Sequence, residues 1–216
     1  MTSRFYDVSD NTFDTRGFPW ISHINSGLKN RLPCPECDAF NYELPGELAV
    51  SLEPKKGTKW PDVIGCGAEP LFIVSKRVLR DWKNDGIGEF LSHRIHIIPP
   101  FPKRLQDMEP PYYSWLDGSQ MHGARMDFDA SGFVEVTFCL ACGRRSDNVT
   151  ATYDRQHSKA WPMAFIDNSW TGENLFTTDL SPAAFFCTES VVESARKHGH
   201  TNFRFVSTCP ENDSNK

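Results

Sequence analysis

The sequence predicts an α+β fold made of two pseudo-duplicated strand–helix–strand halves, joined by a zinc-ribbon-like site of four cysteines. Three observations predict it. A strand, a capped helix and a second strand follow one another between 70 and 99. The stretch AFFCTESVVESARKHG aligns without a gap on that unit, Ala184 on Leu71 and Gly199 on Gly86. Two C-x-x-C pairs, Cys34/Cys37 and Cys139/Cys142, recur at nearly the same offset and in the same order. Capped amphipathic helices are common, so two unrelated helices are the competing reading; the joint repetition of two different features favours duplication. Residues 1–216 read as one globular domain, with pseudo-repeats at roughly 30–105 and 130–209 and a polar tail at 210–216.

Taken in order, the first thirty residues are polar and aromatic without a clear period and read as an irregular lead-in. The prolines on each side of Cys34 favour a tight, non-helical turn. In ELAVSLE, Leu48, Val50 and Leu52 alternate as in a half-buried strand. Leu71 to Val74 form a short apolar run suited to a buried strand, and Ser75 is placed to cap the helix that follows. Val78, Leu79 and Trp82 fall on one helical face, and Gly86 suits the left-handed ending. HRIHIIP reads as the trailing strand. Under the alignment Thr188 takes the cap position, Val191 and Val192 the apolar face, and TNFRFVST the trailing strand.

Composition narrows the function. Hydrophobic residues at 39% and aromatics at 12% in 216 residues support a globular chain with a sizeable core. A formal net charge of −5 argues against broad nucleic-acid affinity, which rests on phosphate neutralisation. An acidic surface suits a basic protein partner. The N-terminus lacks the basic start and apolar run of a secretory signal. No apolar segment approaches the ~18 residues that span a bilayer. The expectation is a cytoplasmic protein without a membrane partner. Thiols stay reduced there, and C-x-x-C pairs bind metal or do redox chemistry more often than they form disulfides.

A C-x-x-C turn presents two sulfurs on one side and so supplies half a tetrahedron. Cys34, Cys37, Cys139 and Cys142 together make a complete ligand set for a structural Zn2+, and the alternative is a pair of redox dithiols. GFVEVTF, with Val134, Val136 and Phe138 alternating against Phe133, Glu135 and Thr137, is expected to lead into the second knuckle as a strand. Cys187 reads as a packed hydrophobe, Cys66 as a loop thiol and Cys209 as a residue without a role.

No catalytic constellation emerges. There is no glycine-rich phosphate loop, G-x-S-x-G elbow or H-E-x-x-H. His93/His96 and His198/His200 read as structural pairs, and Asp127 and Asp129 as the solvated side of a strand and turn. Arg144 and Arg145 after the second knuckle are a thin basis for phosphate contact. In DMEPPYYSWLDGSQMHG, Tyr112, Tyr113, Trp115 and Asp117 lie among prolines and acids without a clear period. Aromatics on a stiffened loop suit a protein interface, because they bury much area at little entropic cost. The competing reading folds the same rings back over the core.

The two C-x-x-C pairs, the middle PLFIVSKRVLRDWKNDGI and the closing AFFCTESVVESARKHGHTNFRFV together resemble the myxobacterial double-CxxCG proteins, over roughly residues 30 to 208. Asp38 departs from that pattern, standing where the motif has glycine. The resemblance implies a non-catalytic, zinc-stabilised immunity protein, since some members of the family are described as such. Its partner would be a cognate protein toxin. The alternative is a zinc-ribbon module acting in regulation or on nucleic acid.

Overall fold

Alternating Leu48, Val50 and Leu52 are all buried in the computed structural model, but against a closed barrel and not a strand–helix–strand half. The structure describes residues 4–11, 17–30, 33–38, 42–43, 46–55, 57–67, 71–142, 145–149, 163–179 and 181–208. Cys209, Arg144 and the tail at 210–216 lie outside them.

The chain begins with strands β1 (Phe5–Asp10), β2 (Trp20–Ser26), β3 (Lys29–Asn30), β4 (Tyr42–Glu43), β5 (Leu48–Leu52), β6 (Val63–Cys66) and β7 (Ile73–Ser75). Helix α1 (Lys76–Asn84) comes next, then β8 (Ser92–Ile97) and β9 (Tyr113–Leu116). A short 3-10 helix (Gly118–Gln120) leads to β10 (Met126–Asp127), β11 (Phe133–Phe138), β12 (Arg145–Val149), β13 (Ala164–Phe165), β14 (Leu175–Thr178) and β15 (Ser181–Thr188). Helix α2 (Glu189–His198) and β16 (Phe203–Ser207) complete the order.

The α+β expectation is therefore corrected: the described fold is mostly β, with two helices. Six strands close a barrel in the order β2-β5-β8-β9-β7-β6, and the parallel pairing of Trp20 with Gly65 and Ile21 with Cys66 shuts it. A four-stranded antiparallel sheet, β14-β15-β1-β16, stands apart from it. The two strand–helix–strand stretches belong one to the barrel and one to this sheet, so they are not equivalent halves. Within each stretch the flanking strands do not pair with one another. β9 lies between β7 and β8, and β1 lies between β15 and β16. The first thirty residues thus contain three strands, β1, β2 and β3, and β1 is central to its sheet.

Burial explains the apolar run of β7, and Cys66, read as a loop thiol, stands at the end of its barrel neighbour β6. Ile64 and Ile73 point into the barrel, while Val63 and Val74 point out beneath the helices, so both faces are buried. The outer cluster joins them to Tyr6, Phe185 and Cys187 of the sheet and to Val78, Trp82, Val191 and Val192 of the helices. A third cluster lies on the opposite face of the sheet, where Phe176 and Phe186 meet Met126, Phe133 and Met163. That cluster underlies β10, β13 and the base of β11.

The helix termini form as the sequence reading expects. Val78 N–H donates to Ser75 Oγ at 3.4 Å, and Gly86 and Gly199 take φ of 73° and 61°. Thr188 departs from it, its hydroxyl donating to Asn174 Oδ1 at 2.9 Å with no cap bond.

The two helices meet through polar contacts. His200 Nε2 lies 3.0 Å from Asp81 Oδ2, and His198 Nε2 lies 3.0 Å from Asp85 Oδ2. The His200 side chain is fully buried and its Nδ1 has no partner. With Nε2–H donating to Asp81, a second proton on Nδ1 would sit buried without an acceptor. Burial accordingly outweighs the attraction of Asp81 and holds His200 below its ordinary value of 6.5. Between the folded value and 6.5 the unfolded chain binds a proton that the folded chain does not, so stability is lost as pH falls through that window. The melting temperature is expected to drop between pH 7.5 and 5.5, and His200→Gln to flatten that limb in calorimetry.

Candidate metal centre

The first cysteine turn lies between β3 and β4, and the second joins β11 to β12. In the first, Asp38 N–H donates to Cys34 O at 2.9 Å, closing a turn over residues 34–38. Asp38 has φ of 52°, the left-handed conformation that glycine adopts most cheaply and aspartate tolerates better than most residues. In the second, β11 and β12 pair antiparallel from Phe133↔Val149 to Phe138↔Arg145.

The four sulfurs converge. Cys34 Sγ lies 3.7 Å from Cys139 Sγ, Cys37 Sγ lies 3.6 Å from Cys142 Sγ, and all four sit within 4.8 Å of one another. A metal with bonds of about 2.3 Å to four thiolates at tetrahedral angles requires sulfur–sulfur edges of about 3.8 Å. The residues present fit such an ion. The short cross-pairs each take one sulfur from either turn, which places the turns face to face, whereas two independent dithiols would give no reason for convergence.

Packing the sulfurs together disfavours ionising any one of them. The backbone N–H of Cys142 and then that of Ala141 favour a thiolate at Cys139, but partial burial and the neighbouring Cys142 and Cys34 thiols outweigh them. Cys139 is held above the ordinary thiol value. Glu36 Oε2, at 3.8 Å from Cys139 Sγ, adds another negative neighbour. Four adjacent thiolates are stable only around a positive ion.

The other two described cysteines, Cys66 and Cys187, stand apart from this group. Cys66 ends β6 in the barrel, and Cys187 is buried in β15, its thiol pushed up by burial. His93 stacks on Trp115 with centroids 4.6 Å apart, and His96 pairs with Glu47 at 2.7 Å. Both are structural contacts.

The aromatic segment is corrected. Tyr113 and Trp115 belong to barrel strand β9, not to an irregular loop. Both rings are buried; Tyr113 Oη donates to Pro61 O at 2.5 Å and Trp115 Nε1 to Gly46 O at 2.9 Å. Asp117 accepts from Ser119 N–H at 3.0 Å and caps the 3-10 helix. Tyr112 alone is open, 57% exposed, and carries Arg94 over its ring at 4.9 Å. That surroundings is basic, not acidic.

Sequence reasoning missed the exposed apolar side chains beside the metal centre. A bulge between Val134 and Thr137, with Glu135 at φ of 54°, breaks the alternation of β11. Phe133 is buried while Val134 and Phe138 are 38% and 48% exposed, and Leu140 in the knuckle turn is 97% exposed. A leucine between the cysteines of C-L-A-C was the available signal. No helix among the described residues is long and apolar enough to cross a membrane. No protein-family model matches this chain, and no curated protein matches it.

Proposed function

We propose that this chain is a non-catalytic immunity protein, which acts in the cytoplasm by binding and neutralising a cognate protein toxin, and that Zn2+ bound by Cys34, Cys37, Cys139 and Cys142 stabilises it. The observation that carries the reading is the convergence of four sulfurs within 4.8 Å. Four protein ligands fill a tetrahedral zinc and leave no position for a water or substrate, so the ion holds structure and activates nothing. What it holds is the β11–β12 hairpin against the 33–38 turn, two segments far apart in sequence. The toxin is the part of the reading that rests on the resemblance to double-CxxCG proteins, and the net charge of −5 suits a basic partner.

The test is co-expression with the product of the adjacent upstream gene. A stable complex together with restored growth is the expected result. A neighbour that is toxic alone, with neither complex nor rescue, overturns the reading and leaves salt-dependent nucleic-acid binding as the next assay.

A further inference from the structure

Of the seven large apolar side chains exposed among the described residues, four lie on the β11–β12 hairpin or beside it, whereas Leu91, Met108 and Tyr112 lie on other elements. Val134, Phe138, Leu140 and Ile166 are all open, Leu140 almost completely so. An apolar side chain that solvated and that close to a rigid metal centre has no fold-stabilising role where it sits. Phe138 and Ile166 also wall a cleft of about 480 Å3, floored by Met126 and Val136.

The polar part of the cleft has a definite sign. Asp127, Asp129 and Asp179 line it together with a single cation, Arg125. Two of the carboxylates are held by the backbone: Asp179 Oδ1 accepts from Met126 N–H at 2.8 Å, and Asp127 Oδ1 from Ala130 N–H at 3.0 Å. No ion pair joins Arg125 to any of the three among the described residues. The carboxylates outnumber the guanidinium, so the cleft is acidic, with Phe138 and Ile166 as apolar walls, and the exposed Leu140 follows Phe138 by two residues in the chain.

We infer that this hairpin face is the partner-binding surface, and that its cleft takes an arginine or lysine side chain from a segment of the partner in which basic and apolar residues alternate. The proposal deepens the toxin-binding reading and rests on it. A cation enters the carboxylate group with its aliphatic stem against Phe138 and Ile166, and flanking apolar residues cover Leu140. The metal fixes the turn carrying Leu140, so that little ordering is left to be done on binding.

The experiment is an NMR titration of the full-length, zinc-loaded, 15N-labelled protein with the peptide acetyl-Leu-Arg-Leu-Arg-Leu-amide and with its glutamate counterpart. Saturable shifts are expected at residues 126–129, 136–138 and 166 with the arginine peptide and not with the glutamate one. The double variant Asp127→Asn, Asp129→Asn, its spectrum otherwise unchanged, is expected to bind about tenfold more weakly. Absence of saturable shifts, equal binding of both peptides, or binding unaffected by the double variant each overturns the proposal. Such a failure leaves the toxin reading to the rescue assay, and a failed rescue beside a positive titration separates the two in the other direction.

Discussion

Replacing Cys34 or Cys142 by serine is expected to release the metal and to lower unfolding stability by several kcal/mol, on the order expected for loss of a structural site. A serine hydroxyl stays protonated and is a poor ligand beside three thiolates, so the tetrahedron is not rebuilt. Because the metal binds only the folded arrangement, its binding free energy is folding free energy. The loss is expected to be local in structure. Phe133 at the base of β11 is packed against Met126, Phe176 and Phe186, whereas Phe138 and Leu140 nearer the turn are exposed. Hydrogen exchange should therefore accelerate at 134–142 and 145–149 while barrel strands β5 and β7 keep their protection. Uniform acceleration would assign the metal a role in the barrel that the geometry does not give it.

The second large effect is expected at Asp62→Ala, with a loss of about 1–3 kcal/mol, the range for leaving buried hydrogen-bond partners unsatisfied, because Arg77 is partly exposed and is hydrated once its partner is gone. Asp62 sits in the turn before β6 and ties three elements together. It accepts from Arg77 Nε at 2.9 Å and Nη2 at 2.5 Å, from Ser75 Oγ at 3.1 Å, and from Thr201 N–H at 2.9 Å and Oγ1 at 3.0 Å. Arg77 also reaches His198 O at 3.0 Å, so the network spans both helices and the approach to β16. Burial alone would raise the Asp62 carboxyl; the bonds from Arg77 and Thr201 outweigh it and hold the group below its ordinary value of 3.8. A depressed carboxylate contributes stability that is present above 3.8 and is lost as pH falls through the folded value. Asp62→Ala removes that contribution and leaves the Thr201 N–H and the Ser75 hydroxyl without their acceptor. Urea unfolding at neutral pH should show a lower midpoint with an unchanged slope. A midpoint within error of the parent would show that the network is not a tie between barrel and sheet.

What the sequence discloses is what local chemistry decides. Ser75, Gly86 and Gly199 act within four residues of themselves, and the helix ends they mark form where expected. The convergence of the four cysteines is also legible, because C-x-x-C spacing is a chemical signature that survives ignorance of the fold. The barrel is not legible, because its closure depends on Ile21 meeting Cys66 in parallel register and no local pattern encodes that pairing. Strand β9 was hidden by its flanks. Tyr113 and Trp115 do alternate around Ser114, but over four residues, directly after two prolines. Asp62 was invisible for a different reason: an aspartate in a turn is ordinarily solvated, and only the fold brings Arg77 and Thr201 to it. Strand β11 leads into the second cysteine turn as expected, but which of its side chains turn inward was not legible, because one left-handed residue, Glu135, shifts the alternation.

Native mass spectrometry of the protein purified without chelator, followed by alkylation of its free thiols, tests the central claim most directly. The account predicts one zinc ion per chain and protection of Cys34, Cys37, Cys139 and Cys142 from alkylation until the metal is removed. A folded protein of metal-free mass, with all four of these thiols reacting at once, would contradict it.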